Sequence, residues 1–172
     1  MPEMDYKAVA FVGGGGDRPI GRLVLGKYKA YVQTKKPQQN NLEVTYFQHF
    51  QRAALRRFIR RHEGRVCVVS HSWGANSAMR VIAKGNPVTK LITLDPVGIN
   101  RPDLASVKAH SEIWHNYYAS GPLTGFRSLV AQTAVVLGRP YAHLPGDYAT
   151  QHHDATDCNH ITICHKYCDP TC

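Results

Sequence analysis

The sequence predicts an α/β fold in which a mostly parallel sheet carries helices on both faces. Two observations lead to this prediction. Apolar segments of strand length alternate with segments of helical periodicity along the 172 residues. The segment "RVCVVS" is apolar and rich in valine, as expected of a strand that helices cover on both sides. The chain length favours a single domain over residues 1–172.

The first part of the chain supplies two further strands and one helix. "KAVAFVGGGG" is an apolar strand that ends in a glycine loop, and residues 42–47 form the next strand. Residues 18–31 are interpreted as a short helix or an irregular crossing between the two. A helix then follows and ends at Gly64. The apolar residues that share one face of this helix are Phe47, Phe50, Ala54 and Phe58.

The second part of the chain continues the alternation. A helix follows "RVCVVS" and has Gly85 at its C-terminal cap. "VTKLITL" is a fourth strand that ends at Asp95, and "SEIWHNYY" is a fifth. Residues 120–157 are rich in Gly, Pro, His and Asp, with a helix near 126–137. Long insertions of this kind commonly form lids and binding loops, so this segment is predicted to face substrate. Its apolar helix either covers an acyl chain or packs in the core.

The charge of the chain suits an acidic partner. The formal net charge is +9, and the most concentrated basic run is "RRFIRRHEGR". Such a run indicates either an anionic surface, such as a membrane, or simply a solvated helix face. No known nucleic-acid-binding motif accompanies the run, so no nucleic-acid partner is expected.

The N-terminus lacks a basic region followed by a long apolar one, and no segment is apolar enough to span a bilayer. We therefore expect a soluble protein that is cytoplasmic or exported by a non-classical route.

The five cysteines fall into two groups. Cys67 lies in an apolar strand and is interpreted as a core residue, whereas the other four cysteines lie close together near the C-terminus. There, either Cys158 forms a disulfide with Cys168 or Cys172, or the thiols are free. The spacing of these cysteines matches no common zinc pattern, so no metal and no cofactor are expected.

The turn "SHSWG" is the most informative motif. It joins the strand "RVCVVS" to a helix and puts Ser72 at its tip, flanked two residues away on each side by the small residues Ser70 and Gly74. A strand, a sharp turn and a helix in this order form the nucleophile elbow, which exposes a rigidly held serine. The alternative is that Ser72 merely caps the helix.

Partners for a nucleophilic Ser72 are expected further along the chain. Hydrolases that use this elbow place their residues in the order serine, acid, histidine. Asp95 ends the next strand and is the predicted acid, although it could serve only an Asp-Pro turn. His160, in the polar stretch "DATDCNH", is the predicted base. The alternatives are Asp147 or Asp154 as the acid and His143 as the base.

These residues carry a resemblance to a known family. Ser72 in "SHSWG", Asp95 in "TLDPVG" and His160 in "DCNH" resemble the lipase branch of the α/β-hydrolase fold. The outline of the chain from about residue 8 to residue 165 is similar to small bacterial lipase-like hydrolases, some of which are secretion-system effectors. The chain departs from the family in having Ser70 where glycine is usual, and in its short length.

The resemblance implies a compact α/β-hydrolase-like fold without a metal. It also implies an oxyanion hole formed by the backbone N–H of Trp73 and by the glycine loop at Gly14 and Gly15. The expected function is hydrolysis of a carboxylic ester of lipid or phospholipid type, with a small molecule or a lipid as substrate. A thioesterase, an acyltransferase or an amidase would use the same residues. The alternative from another class of function is a binding module that has the same fold but catalyses no reaction.

Overall fold

A computed structural model describes residues 6–15, 17, 22–34, 41–121, 141–160, 162–168 and 170. Within them lie six strands and five helices. The strands are β1 (Ala8–Gly13), β2 (Glu43–Gln48), β3 (Val66–His71), β4 (Val88–Leu94), β5 (Ser111–Ala119) and β6 (Gln151–Ala155). The helices are α1 (Leu23–Thr34), α2 (Arg52–Arg61), α3 (Trp73–Ile82), α4 (Leu104–Ala109) and α5 (Ile163–Tyr167).

All six strands form one parallel sheet in the order β2-β1-β3-β4-β5-β6. In this register His71, at the end of β3, is paired with Leu94, at the end of β4. Leu94 is in turn paired with Tyr117, near the end of β5. The loops that leave β1, β3, β4 and β6 therefore emerge at one edge of the sheet. This carboxyl edge is where open α/β sheets place their sites.

Helices cover both faces of the sheet, as predicted. Alternate residues of β1 and β3 point to opposite faces, and each face has its own apolar cluster. The cluster with Val68, Leu91 and Trp114 packs against α2, α3 and α4. The cluster with Phe11, Ile92 and the buried Cys67 packs against α1 and α5. Burial on both faces explains why the central strands are apolar at nearly every position.

The five predicted strands are confirmed, but the predicted start of the second helix is wrong. Phe47 belongs to β2, and Phe50 lies in the following turn with 63% of its surface exposed. The turn is closed by a hydrogen bond from the Gln51 N–H to the Gln48 carbonyl, so α2 begins only at Arg52. Phe47 still packs against Phe58 from its strand, with ring centroids 5.4 Å apart. The face that α2 buries consists of Leu55, Phe58 and Ile59.

Four of the described helices and strands, α1, α4, α5 and β6, were not predicted as such. The ambiguous residues 18–31 contain the start of α1. Helix α4 is short, and Asp103 caps its N-terminus with a side chain that accepts a hydrogen bond from the Ala105 N–H. Strand β6 lies in the polar segment that was interpreted as part of a lid, and four of its five residues are exposed at the sheet edge. The helix predicted near 126–137 lies outside the described residues.

None of the described helices is both long enough and apolar enough to cross a membrane.

Candidate active site

The turn between β3 and α3 has the geometry of a strained elbow. Ser72 has φ 56° and ψ −125°, a conformation that costs free energy for a residue with a side chain. Backbone hydrogen bonds hold it there: the Ser72 N–H donates to the Leu94 carbonyl, and the Ser72 carbonyl accepts from Asn76 and Val97. The Ser72 side chain makes no capping hydrogen bond to α3, which argues against the interpretation of this residue as only a helix cap.

Gly74 allows the elbow to form because α3 comes very close to β1. A Cβ atom on Gly74 would lie 2.6 Å from the carbonyl oxygen of Gly13, and closer still to that of Val12. Both neighbours are backbone atoms, so they cannot move without shifting the strand. Ser70, on the other side of the elbow, is fully buried and donates a hydrogen bond to the Ile92 carbonyl. A serine therefore fits at this position, two residues before Ser72.

The structure brings the three predicted residues together. The Nδ1 atom of His160 forms a hydrogen bond with Oδ2 of Asp95, and its Nε2 atom lies 2.9 Å from Oγ of Ser72. A carboxylate can only accept, so Nδ1 carries the hydrogen and Nε2 is left to accept the proton of the Ser72 hydroxyl. All three residues are at most 7% exposed. The arrangement lets the imidazole take a proton from the hydroxyl while the carboxylate orients the ring.

The alternative residues lie elsewhere in the fold. Asp154 accepts a hydrogen bond from the Ser120 hydroxyl at 2.5 Å, and Asp147 lies in a short 3-10 helix, Leu144–Asp147. His143 contacts the ring of Tyr118. The described contacts therefore favour Asp95 and His160 over these alternatives.

The glycine loop after β1 lies against the elbow. A Cβ atom on Gly14 would be 2.9 Å from Cβ of Ser72, and one on Gly15 would be 3.9 Å from the Trp73 ring. The bare backbone of this loop can thus approach a group bound at Ser72. Trp73 is the first residue of α3, so its N–H is among the backbone donors at the N-terminal end of the helix, next to Ser72.

Asp17 anchors the far side of this loop, a role that the sequence analysis missed. Its carboxylate is buried and accepts hydrogen bonds from the backbone N–H groups of Val24 and Leu25 and from the hydroxyl of Tyr46. The loop is thereby tied both to the start of α1 and to β2. An aspartate that closes a glycine run and precedes a helix was the available signal.

Two histidines beside the site were also missed. His71, which directly precedes Ser72, is buried, and its Nε2 atom lies 2.7 Å from the carbonyl oxygen of His160. Burial and the neighbouring His160 ring lower the pKa of His71 to about 3. The ring of His49, in the turn after β2, faces that of Trp73 with centroids 6.1 Å apart. Burial lowers the pKa of His49, and the charge of Arg52 adds to this effect.

The proposed disulfide from Cys158 to Cys168 is not formed, because both cysteines are free thiols. They lie with Cys164 in the apolar cluster beneath α1 and α5, where they pack as small apolar side chains. Burial raises the pKa of both Cys158 and Cys164, so neither is an activated nucleophile. A bond to Cys172 lies outside the described residues. Among the described histidines, cysteines and acidic residues, no group is arranged to hold a metal ion.

Comparison with models of known protein families gave no match to this chain, and no curated protein sequence matches it. The functional proposal therefore depends on the geometry of the site itself.

Replacing Gly74 with alanine is expected to disrupt the elbow, because the new methyl group would press on the β1 backbone. We expect Gly74→Ala to lower the free energy of unfolding by about 1–3 kcal/mol. Gly26→Ala is the matched control: this exposed glycine of α1 has nothing within 4 Å of its would-be Cβ atom. There alanine should raise stability by about 0.5–1 kcal/mol. Urea unfolding of both variants tests this, and equal effects would contradict the role of Gly74.

Proposed function

We propose that the protein is a serine hydrolase that cleaves a carboxylic ester through Ser72, His160 and Asp95. The observation that carries the proposal is the hydrogen-bonded series from Asp95 to His160 to Ser72, with the serine on a strained turn at a helix N-terminus. Three residues from distant parts of the chain meet in the order of hydroxyl, imidazole and carboxylate that acyl-transfer enzymes use.

The first half of the reaction forms an acyl-enzyme. The Ser72 Oγ atom attacks the ester carbonyl carbon while Nε2 of His160 takes the hydroxyl proton. The Asp95 carboxylate keeps the ring oriented and stabilises the imidazolium that forms. The tetrahedral intermediate then collapses, and His160 returns the proton to the alcohol oxygen as that bond breaks.

The oxyanion of this intermediate would be stabilised by backbone N–H groups of Trp73 and of the loop at Gly14 and Gly15. The N-terminus of α3 adds a favourable partial positive charge at the same place.

The second half of the reaction hydrolyses the acyl-enzyme, with water in place of the alcohol. His160 removes a proton from the water, and the resulting hydroxide attacks the acyl carbon. The Ser72 oxygen then leaves and takes the proton back from His160, and the carboxylic acid is released.

A thioesterase, an acyltransferase or an amidase would use the same three residues and differ in the leaving group or the acceptor. We prefer the ester because the motifs around Ser72, Asp95 and His160 resemble those of lipases. A binding module without catalysis remains the second class of function. The hydrogen bond between Ser72 and His160 favours an enzyme over such a module, because a binding module has no need of it.

A lipid substrate is supported by the surface around the site. Phe50 and Ile99, with 63% and 62% of their surfaces exposed, lie in the loops that follow β2 and β4 at the carboxyl edge. These strands lie on either side of β1 and β3, about 14 Å apart for three strand spacings. The outward face of α2, which begins at the same edge, includes five exposed arginines: Arg52, Arg56, Arg57, Arg60 and Arg61. Apolar side chains beside arginines suit the surface of a membrane that contains anionic lipid.

Removing the Ser72 hydroxyl is expected to abolish hydrolysis while leaving the fold intact. We expect Ser72→Ala to lower kcat on a p-nitrophenyl ester by about a thousandfold or more, because no acyl-enzyme can form. Ser77→Ala, on the same helix but without contact to His160 in the described structure, serves as the control and should retain activity. Near wild-type rates for Ser72→Ala would refute the assignment.

Removing the charge of Asp95 is expected to slow turnover by about a thousandfold or more, since the His160 ring loses the acceptor that holds its tautomer. The test compares kcat for Asp95→Asn with kcat for Asp154→Asn. The Asp154 side chain contacts Ser120 rather than His160, so that variant should remain active. If Asp154→Asn lost activity while Asp95→Asn kept it, Asp154 rather than Asp95 would be the acid.

Reversing charge on α2 is expected to weaken binding to anionic vesicles. Among the described residues, no acidic side chain pairs with Arg52 or Arg56. The double variant Arg52→Glu/Arg56→Glu should bind vesicles of phosphatidylglycerol and phosphatidylcholine about tenfold or more weakly in a sedimentation assay. The control, Lys7→Glu/Lys84→Glu, makes the same charge change at the opposite edge of the sheet. Equal losses in the two variants would contradict a specific surface.

A further inference from the structure

We propose that His71 is a positioning residue: its side chain holds the main chain of His160 and so fixes the imidazole of His160 between Asp95 and Ser72. This inference rests on the proposed function. His71 is 3% exposed, and its Nε2 atom lies against the main chain of His160, so its effect passes through His160.

The contact spans a long stretch of sequence. The Nε2 atom of His71 lies 2.7 Å from the His160 carbonyl oxygen, and 89 positions separate the two residues. Their rings also pack against each other, with centroids 4.6 Å apart. A carbonyl oxygen only accepts hydrogen bonds, so the hydrogen of His71 is on Nε2.

His160 needs such a support because it belongs to no helix or strand. It lies five residues beyond β6, in a turn that is held by a hydrogen bond from the Cys158 N–H to the Ala155 carbonyl and by one from the Gly121 N–H to the Cys158 carbonyl. Neither bond involves His160 itself. The donor that does reach His160 from the core is the side chain of His71, the residue before Ser72. Any displacement of the elbow therefore moves the nucleophile and the support of the base together, which preserves the distance between Ser72 and His160.

A neutral donor suits this position. Burial holds the pKa of His71 near 3, so the ring carries no charge at neutral pH. During the proposed reaction a positive charge develops on the His160 ring, and a second charged ring at 4.6 Å would oppose it. A lysine or arginine in this place would donate a hydrogen bond but would also add that repulsion.

The test measures kcat and KM on a short soluble p-nitrophenyl ester for three variants. His71→Phe keeps a ring but loses the donor, and should lower kcat about ten- to a hundredfold with KM changed less than about twofold. His71→Gln offers an amide N–H at similar reach and should recover most of kcat. His115→Phe, at another buried histidine in β5, is the control and should keep the wild-type kcat.

A merely structural role would give a different pattern. Equal losses of kcat in His71→Phe and His71→Gln, or loss of kcat only in proportion to the unfolded fraction in a thermal melt, would overturn the inference. If His71→Phe keeps full activity while Ser72→Ala is inactive, the inference fails and the proposed function stands. Hydrolysis by Ser72→Ala would refute the proposed function, and this inference with it.

A spectroscopic measurement on the wild-type chain decides the matter if His71→Phe does not fold. In 15N spectra of histidine-labelled protein, His71 is expected to show the neutral tautomer protonated at Nε2 from pH 5 to 8, with a slowly exchanging ring proton. A tautomer protonated at Nδ1, or a titrating ring in this range, would overturn the inference.

Discussion

The close approach of α3 to the end of β1 at Gly74 is the constraint on which the rest of the site depends. Because no side chain separates the helix from the Val12 and Gly13 carbonyls, the chain can reverse direction at the single residue between β3 and α3. That residue is Ser72, and its positive φ angle is the cost of the reversal. The same approach brings the glycine loop alongside the serine hydroxyl. The contact at Gly74 therefore positions both Ser72 and the glycine loop that faces it.

The register of the sheet supplies the second part of the site. Ser72 donates its backbone N–H to the carbonyl of Leu94, the last residue of β4, and Asp95 follows Leu94 directly, so the end of β4 positions both the elbow and the predicted acid. Asp95 itself has φ 45° and donates its N–H to the Tyr117 carbonyl of β5. The strained conformations at Ser72 and Asp95 are thus held by the same ladder of parallel strands. The predicted base, His160, lies beyond β6, outside this ladder. The side chains of Asp95, Ser72 and His71 contact it and hold it in place.

Local pattern in the sequence was enough to predict the central strands, the sharp turn at Ser72 and the place of Asp95 directly after β4, because continuous apolar runs and small residues at a turn act within a few positions. It failed where structure depends on distant contacts. Strand β6 is polar because four of its five residues face solvent at the sheet edge, so "QHHDA" lacks strand periodicity. The contact of His71 with the His160 carbonyl joins residues 89 positions apart, and no local pattern indicates it. Phe50 fitted a helical period but lies in a turn, since β2 extends to Gln48.

The most direct test of the central claim is covalent labelling of the intact chain with a fluorophosphonate, followed by mapping of the adduct by mass spectrometry. A hydroxyl that His160 activates displaces fluoride from phosphorus and stays phosphonylated, whereas an ordinary serine does not react. The account predicts one adduct per chain, on Ser72, which is absent from Ser72→Ala and strongly slowed in Asp95→Asn. An unlabelled protein, or an adduct on another residue with Ser72 unmodified, would contradict it.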